Sequence, residues 1–96
     1  MYIAIFTSKA DTAALRSETQ PRHDAYWAEY LGHVKLAGPM LSDDGGTRLG
    51  QILLLDVDDR ATAERIATED PFVKAGLFSS WSVRRVRISV ESGRTV

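Results

Sequence analysis

Apolar positions along the chain fall into two rhythms, compact runs and helically spaced stripes, and the order in which they alternate predicts an architecture. Tyr2-Ile3-Ala4-Ile5-Phe6-Thr7 is a run of β-formers apolar on both alternating faces, as in a strand covered on both sides. Gly50-Gln51-Ile52-Leu53-Leu54-Leu55-Asp56-Val57 has the same character. His33 to Leu41 reads as a strand interrupted by Gly38-Pro39, and because proline lacks the ladder donor it belongs at an edge or a bulge, so this strand is not expected to be central. Ser42 to Thr47, with Asp43-Asp44-Gly45-Gly46 between them, is dense in turn formers and predicts a hairpin loop. From Trp81 to Val90 apolar residues alternate again. The phase slips by one at Arg84-Arg85, which predicts a fourth strand with a β-bulge there.

Helical spacing occupies the gaps. Asp11 could cap a short helical turn through Arg16, followed by a polar loop at Ser17-Glu18-Thr19-Gln20. Pro21 suits the first turn of a new helix, where a missing N–H costs nothing, and Gly32 suits its end. With His23 at 0° and 100° per residue, Tyr26 falls at about −60°, Trp27 at about +40°, Tyr30 at about −20° and Leu31 at about +80°. His23 therefore lies near the centre of the apolar stripe. A second helix, capped by Asp58 or Asp59, runs to Asp70. With Ala63 at 0°, Ile66 lies at about −60°, Ala67 at about +40° and Asp70 at about −20°, so Asp70 also points inward. An aspartate at a helix C-terminus opposes the dipole, which raises the question of what compensates it.

The resulting order, β-α-β-β-α-β, is the α+β ferredoxin-like sandwich. Right-handed crossovers place both helices on one face of a four-stranded antiparallel sheet, so the two stripes meet the same layer. The opposite sheet face has no helix to cover it, yet the central strands are apolar on both sides. A homodimer that packs sheet against sheet, or completes a shared α/β barrel, is the expected remedy. Residues 1–90 form one domain and 91–96 a loose tail.

Composition narrows the function. Ninety-six residues make one small domain, and a net charge of −1 supplies no basic field for nucleic acid. Arg84, Arg85 and Arg87 form a local cluster that reads as a solvated strand edge or a local anion contact. With 26% charged residues and no apolar run approaching roughly 18, no membrane partner is expected. The N-terminus has no basic segment leading a long apolar run, so a cytoplasmic location is the expectation. The absence of cysteine excludes disulfides, thiolate nucleophiles and cysteine-based metal sites. His33 is the only other histidine and no HxxxH or HxH spacing exists, so no metal is expected. Gly-x-Ser-x-Gly is absent, and Asp44-Gly45-Gly46 lacks the Lys-Ser/Thr and the helix that a phosphate loop needs. No motif calls for a cofactor.

Asp70-Pro71-Phe72 followed by Lys74-Ala75-Gly76-Leu77-Phe78, together with Leu15-Arg16, Pro21-Arg22-His23 and Ala37-Gly38-Pro39, makes the chain resemble the YCII-related (YciI-like) family over roughly residues 1–90. The resemblance implies a ferredoxin-like fold, a dimeric tendency and a small pocket lined by a paired histidine and aspartate, at His23 and Asp70. In such a pair Asp70 would accept from one imidazole nitrogen and fix the tautomer, while the other faces the substrate as general acid or base. Arg16 could bind a substrate carboxylate or oxyanion as a planar fork, or be a surface arginine. Gly38 and Pro39 would shape the pocket wall. Gly76 could let backbone approach a ligand, although a tight turn is the simpler reading. The expected function is a cofactor-independent small-molecule enzyme of the elimination (lyase) or isomerisation type, acting on an anionic or aromatic metabolite. The alternatives are a non-catalytic dimeric ligand-binding or sensor module, and a purely structural pair tying two helices together.

Overall fold

The computed structural model describes residues 1–96. Four strands, β1 (Tyr2–Ser8), β2 (Val34–Leu41), β3 (Arg48–Leu55) and β4 (Phe78–Arg85), form one antiparallel sheet in the order β2-β3-β1-β4. Between them lie α1 (Ala13–Ala28), α2 (Arg60–Thr68) and the single turn α3 (Pro71–Lys74). This is the expected ferredoxin-like order with one helical turn added.

Alternation along β1 decides which face is dry. Tyr2, Ala4 and Phe6 are buried, and register sets Leu55 and Leu53 of β3 and Val83 of β4 beside them. Trp27 of α1 and Ala63, Ile66 and Ala67 of α2 close the same cluster, so both long helices cover one sheet face. Full burial of a side chain such as Phe6, Leu53 or Leu55 contributes about 1.5–3 kcal/mol each. The other face carries Ile3, Ile5, Ile52, Leu54, Leu36 and Met40, with Ile5 39% and Leu36 50% exposed. No helix is long and apolar enough to cross a membrane.

Pro39 pairs with Gln51 on the edge strand β2, where the missing donor can face solvent. The hairpin loop at 42–47 forms as expected, closed by Ser42 N–H donating to the Thr47 carbonyl at 2.9 Å. Gly50, at the start of the pairing with Thr7, has a tighter constraint. A Cβ there would collide with the Phe6 carbonyl oxygen and come within 2.7 Å of Met40 Cε.

Several expected boundaries move. The first helix begins at Ala13 and not at Pro21, so the segment expected as a polar loop is helical and Pro21 sits in the helix interior. Helix-forming residues on both sides carry the helix through a proline, although proline removes one hydrogen bond and crowds the carbonyl four residues back. Asp11 does not cap a helix; it adopts φ +58 in the preceding turn. The same helix stops at Ala28, and Leu31–His33 forms a 3₁₀ turn, which takes Leu31 off the apolar stripe and leaves it 65% exposed. β4 occupies 78–85, and its register shift lies opposite Thr7 and Ser8, not at Arg84-Arg85. The slip in alternation at those arginines marks the end of the strand. Val90, expected to close the fourth strand, and residues 91–95, expected in a loose tail, form a two-stranded hairpin, β5 (Val90–Glu91) and β6 (Arg94–Thr95), turned by Ser92 and Gly93 at positive φ.

Candidate active site

Asp70 explains itself once the helix boundaries are known. α2 ends at Thr68, so Asp70 is not the last residue of a helix opposing its dipole. It is the N-cap of α3, with Pro71 at the first helical position and Oδ1 accepting from the Phe72 backbone N–H at 2.9 Å. A carboxylate at that end is favoured by the dipole.

The same carboxylate collects two more donors from α1. His23 Nδ1 lies 2.8 Å from Oδ1, and Trp27 Nε1 donates to Oδ2 at 2.9 Å. His23 and Trp27 are four residues apart on one helix, so one helical face presents both nitrogens to Asp70. Asp70 is 1% exposed, and its three partners are what make a buried carboxylate tolerable. The His23 imidazole stacks on the Phe72 ring at 3.8 Å between centroids and 12° between planes. α3 therefore fixes the histidine twice, through its cap and through its first aromatic side chain. Next to the pair, Tyr26 donates its hydroxyl to the Ile66 carbonyl at 2.6 Å. Burial, with the Tyr30, Glu69 and Asp70 side chains nearby, pushes the Tyr26 phenol above its ordinary value.

His23 opens onto a cleft of about 190 Å³ lined by Gln20, Ala37, Gly38, Pro39, Arg48, Gln51 and Phe72. Gly38 and Pro39 thus sit on the cleft wall. Arg16 is beside it: its guanidinium lies 5.6 Å from the Phe72 ring centroid, and it lines an adjoining groove that shares Arg48 with the cleft. Burial, then the Arg48 charge, holds the Arg16 guanidinium below its ordinary pKa. Gly76 is not in the cleft. It has φ +84 and ends α3 in a Schellman arrangement, with Leu77 N–H donating to the Phe72 carbonyl at 3.1 Å and Gly76 N–H to the Val73 carbonyl at 3.0 Å. The expectation that Gly76 admits a ligand is therefore replaced by the tight-turn reading.

The sequence motifs do not by themselves point to Arg48, Gln51, Gln20 and Phe72 as cleft residues, nor to Trp27 as a partner of Asp70. Gln51 had a detectable signal: it follows the helix-facing alternation of Leu55 and Leu53, and a glutamine in that series is a polar group aimed at the covered face. Trp27, one turn after His23 on the stripe, could have been offered to the same carboxylate. Arg48 had none, because its position depends on how the 42–47 hairpin folds back.

The structure superimposes with a TM-score of 0.81 and 23% identity on the 5-chloro-2-hydroxyhydroquinone dehydrochlorinase of Burkholderia phenoliruptrix AC1100, solved in complex with 2,5-dihydroxybenzoquinone. The match covers 90% of this chain and 92% of that one, and at this identity it establishes the shared fold. Comparison with curated proteins returns no significant match. The family model for the YCII-related domain matches residues 1–87, and the chain belongs to that family.

Proposed function

We propose that the protein is a small-molecule enzyme of the elimination or isomerisation type, in which His23 moves a proton and Asp70 holds the imidazole in one tautomer. The observation that carries this reading is the 2.8 Å contact between His23 Nδ1 and Asp70 Oδ1. Both Asp70 oxygens accept from N–H groups, of Phe72 and of Trp27, which supports the tautomer in which Nδ1 donates to Oδ1 and Nε2 takes the substrate proton. Phe72 and Trp27 keep the pair from rotating, which suits a general base that must meet its substrate in one geometry.

In an elimination, Nε2 takes a proton from the substrate and the electron pair left behind forms a new π bond. The leaving group departs with its own bonding pair, and the imidazolium later returns the proton to solvent. In an isomerisation the proton goes back to a different atom. Neither course needs a cofactor. The structural neighbour is a dehydrochlorinase, and loss of HCl is an elimination, which favours the first course.

The test is turnover of chlorinated hydroxyhydroquinones, followed by chloride release. His23→Asn is expected to lower kcat about 10²–10⁴-fold, the usual contribution of a positioned base. Asp70→Asn lowers it by a smaller factor. If either variant, shown to be folded, turns over like wild type, the assignment fails. A ligand that binds at the cleft and returns chemically unchanged would point to a binding module. We also propose that a second copy covers the outer sheet face, where Ile5 and Leu36 lie exposed; a monomeric mass in sedimentation at micromolar concentration would contradict that.

A further inference from the structure

Arg16 and Arg48 line one groove that adjoins the His23 cleft, and neither is neutralised. Arg16 comes from the first turn of α1, and Arg48 is the first residue of β3, as the chain leaves the 42–47 hairpin. The ion pairs of the protein are His23 with Asp70 and Arg60 with Glu64, so neither guanidinium has a carboxylate within 4.0 Å. Neither donates a side-chain hydrogen bond to another protein group. The groove they share, about 630 Å³, is lined by three cations, Lys9, Arg16 and Arg48, against one carboxylate, Asp11. The nearby Asp44 carboxylate is engaged within its own hairpin by Ser42 Oγ at 2.6 Å and Gly46 N–H at 2.9 Å.

Two like charges held side by side are unfavourable, and burial of one of them adds to the cost. The fold nevertheless fixes both next to the imidazole: Arg48 is a wall of the His23 cleft, and Arg16 lies over the ring on which His23 stacks. We propose that Arg16 and Arg48 form an anion clamp, and that the substrate is an organic acid whose charged oxygens sit between the two guanidiniums while its reacting proton reaches His23. This rests on the reading of the His23 cleft as the substrate site. It assigns a binding role to Arg48 and a charge to the substrate. Planar forks of this kind match carboxylates and vinylogous carboxylates, in which the negative charge is spread over two oxygens. Negative charge that builds on an enolate as the proton leaves would be held by the same clamp.

The test uses 2,5-dihydroxybenzoquinone, whose enolic hydroxyls are vinylogous acids ionised at neutral pH, against uncharged hydroquinone. Binding is measured by calorimetry, with a melting curve of each variant as the folding control. Wild type is expected to prefer the anion, with affinity falling as sodium chloride is raised. Arg48→Gln and Arg16→Gln should each weaken anion binding about tenfold or more, as loss of a charge-assisted hydrogen bond does, and leave hydroquinone binding unchanged. Arg48→Lys, which keeps the charge but loses the fork, should recover part of the loss. Equal binding of the two probes by wild type, or wild-type anion affinity in Arg48→Gln, would overturn the proposal. His23→Asn separates the two readings: it should lower turnover about 10²–10⁴-fold and leave anion binding nearly intact. An arginine-dependent anion site with full turnover in His23→Asn would defeat the acid–base assignment and leave the clamp standing.

Discussion

Replacing Asp70 by asparagine removes one negative charge and half the acceptor capacity from a site that serves three donors. Asparagine offers one carbonyl oxygen and one NH₂ group. With its oxygen in the Oδ1 position it can still cap Phe72 N–H and accept from His23, but its NH₂ then faces the Trp27 N–H. If the amide is flipped, Trp27 is served and the Phe72 cap is lost, while His23 must switch tautomer to accept from the amide. In no orientation are all three donors satisfied. A buried donor left without a partner costs about 1–3 kcal/mol, and the remaining bonds lose their charge assistance, so the variant should lose about 2–4 kcal/mol. For a domain of this size that is about 10–25 °C in Tm. Urea unfolding followed by circular dichroism at fixed protein concentration measures it. The decisive arm is the double-mutant cycle with Trp27→Phe, which removes the donor that clashes with the amide. Asp70→Asn should cost at least about 1 kcal/mol less in that background than in wild type. Additivity of the two changes within about 0.5 kcal/mol would show that the Trp27–Asp70 bond is not what makes the site intolerant of asparagine.

Other changes probe the frame around the site. Pro21→Ala restores a backbone donor to the interior of α1 and should raise stability by about 1–3 kcal/mol; an unchanged urea midpoint would mean the helix had already accommodated the proline. Gly50→Ala drives a methyl group into the Phe6 carbonyl and Met40, so it should cost about 3 kcal/mol or more, or prevent folding, and a variant as stable as wild type would show that β1 and β3 can separate there without penalty. Tyr26 carries a pH dependence: its phenol is raised above the ordinary value of 10.0 chiefly by burial, so the unfolded chain gives up that proton more readily than the folded one. The stability from Tyr26 is therefore complete below about pH 10 and declines as the pH rises beyond it. Tyr26→Phe should be less stable at neutral pH, and the difference from wild type should narrow in alkali, read from urea midpoints between pH 8 and about 11.5.

Much of this arrangement is legible in the amino-acid sequence, for specific physical reasons. The two runs that became β1 and β3 are apolar on both faces because they occupy the sheet centre, and Pro39 signals an edge because of the donor it lacks. His23 was legible because the helical period is rigid enough to place a residue on a face over two turns. The period fails where a helix stops early, which is why Leu31 was misplaced. Pro21 misled because its preference for a first turn is a local rule, and the flanking residues outweighed it. Asp70 was assigned to the wrong helix end, since a break of two residues between α2 and α3 leaves almost no trace in apolar spacing. Arg48 was invisible because its place beside Arg16 depends on strand register and on the hairpin, which are long-range properties.

The cleft wall formed by Gly38 and Pro39 belongs to the outermost strand of the sheet, whereas the histidine and its carboxylate are anchored by residues of the core. Under the proposed function, proton transfer would rest on the core-anchored pair and the cleft wall on the edge strand, parts of the chain that answer to different constraints. A longer or shorter loop at 42–47 would re-space Arg48 relative to Arg16 at a loop-closure cost of only a few tenths of a kcal/mol, and no atom of the imidazole's support would need to move. Under the proposed clamp and acid–base pair, the architecture lends itself to retargeting: new acids could be admitted by rebuilding one exposed hairpin around an unaltered His23 and Asp70.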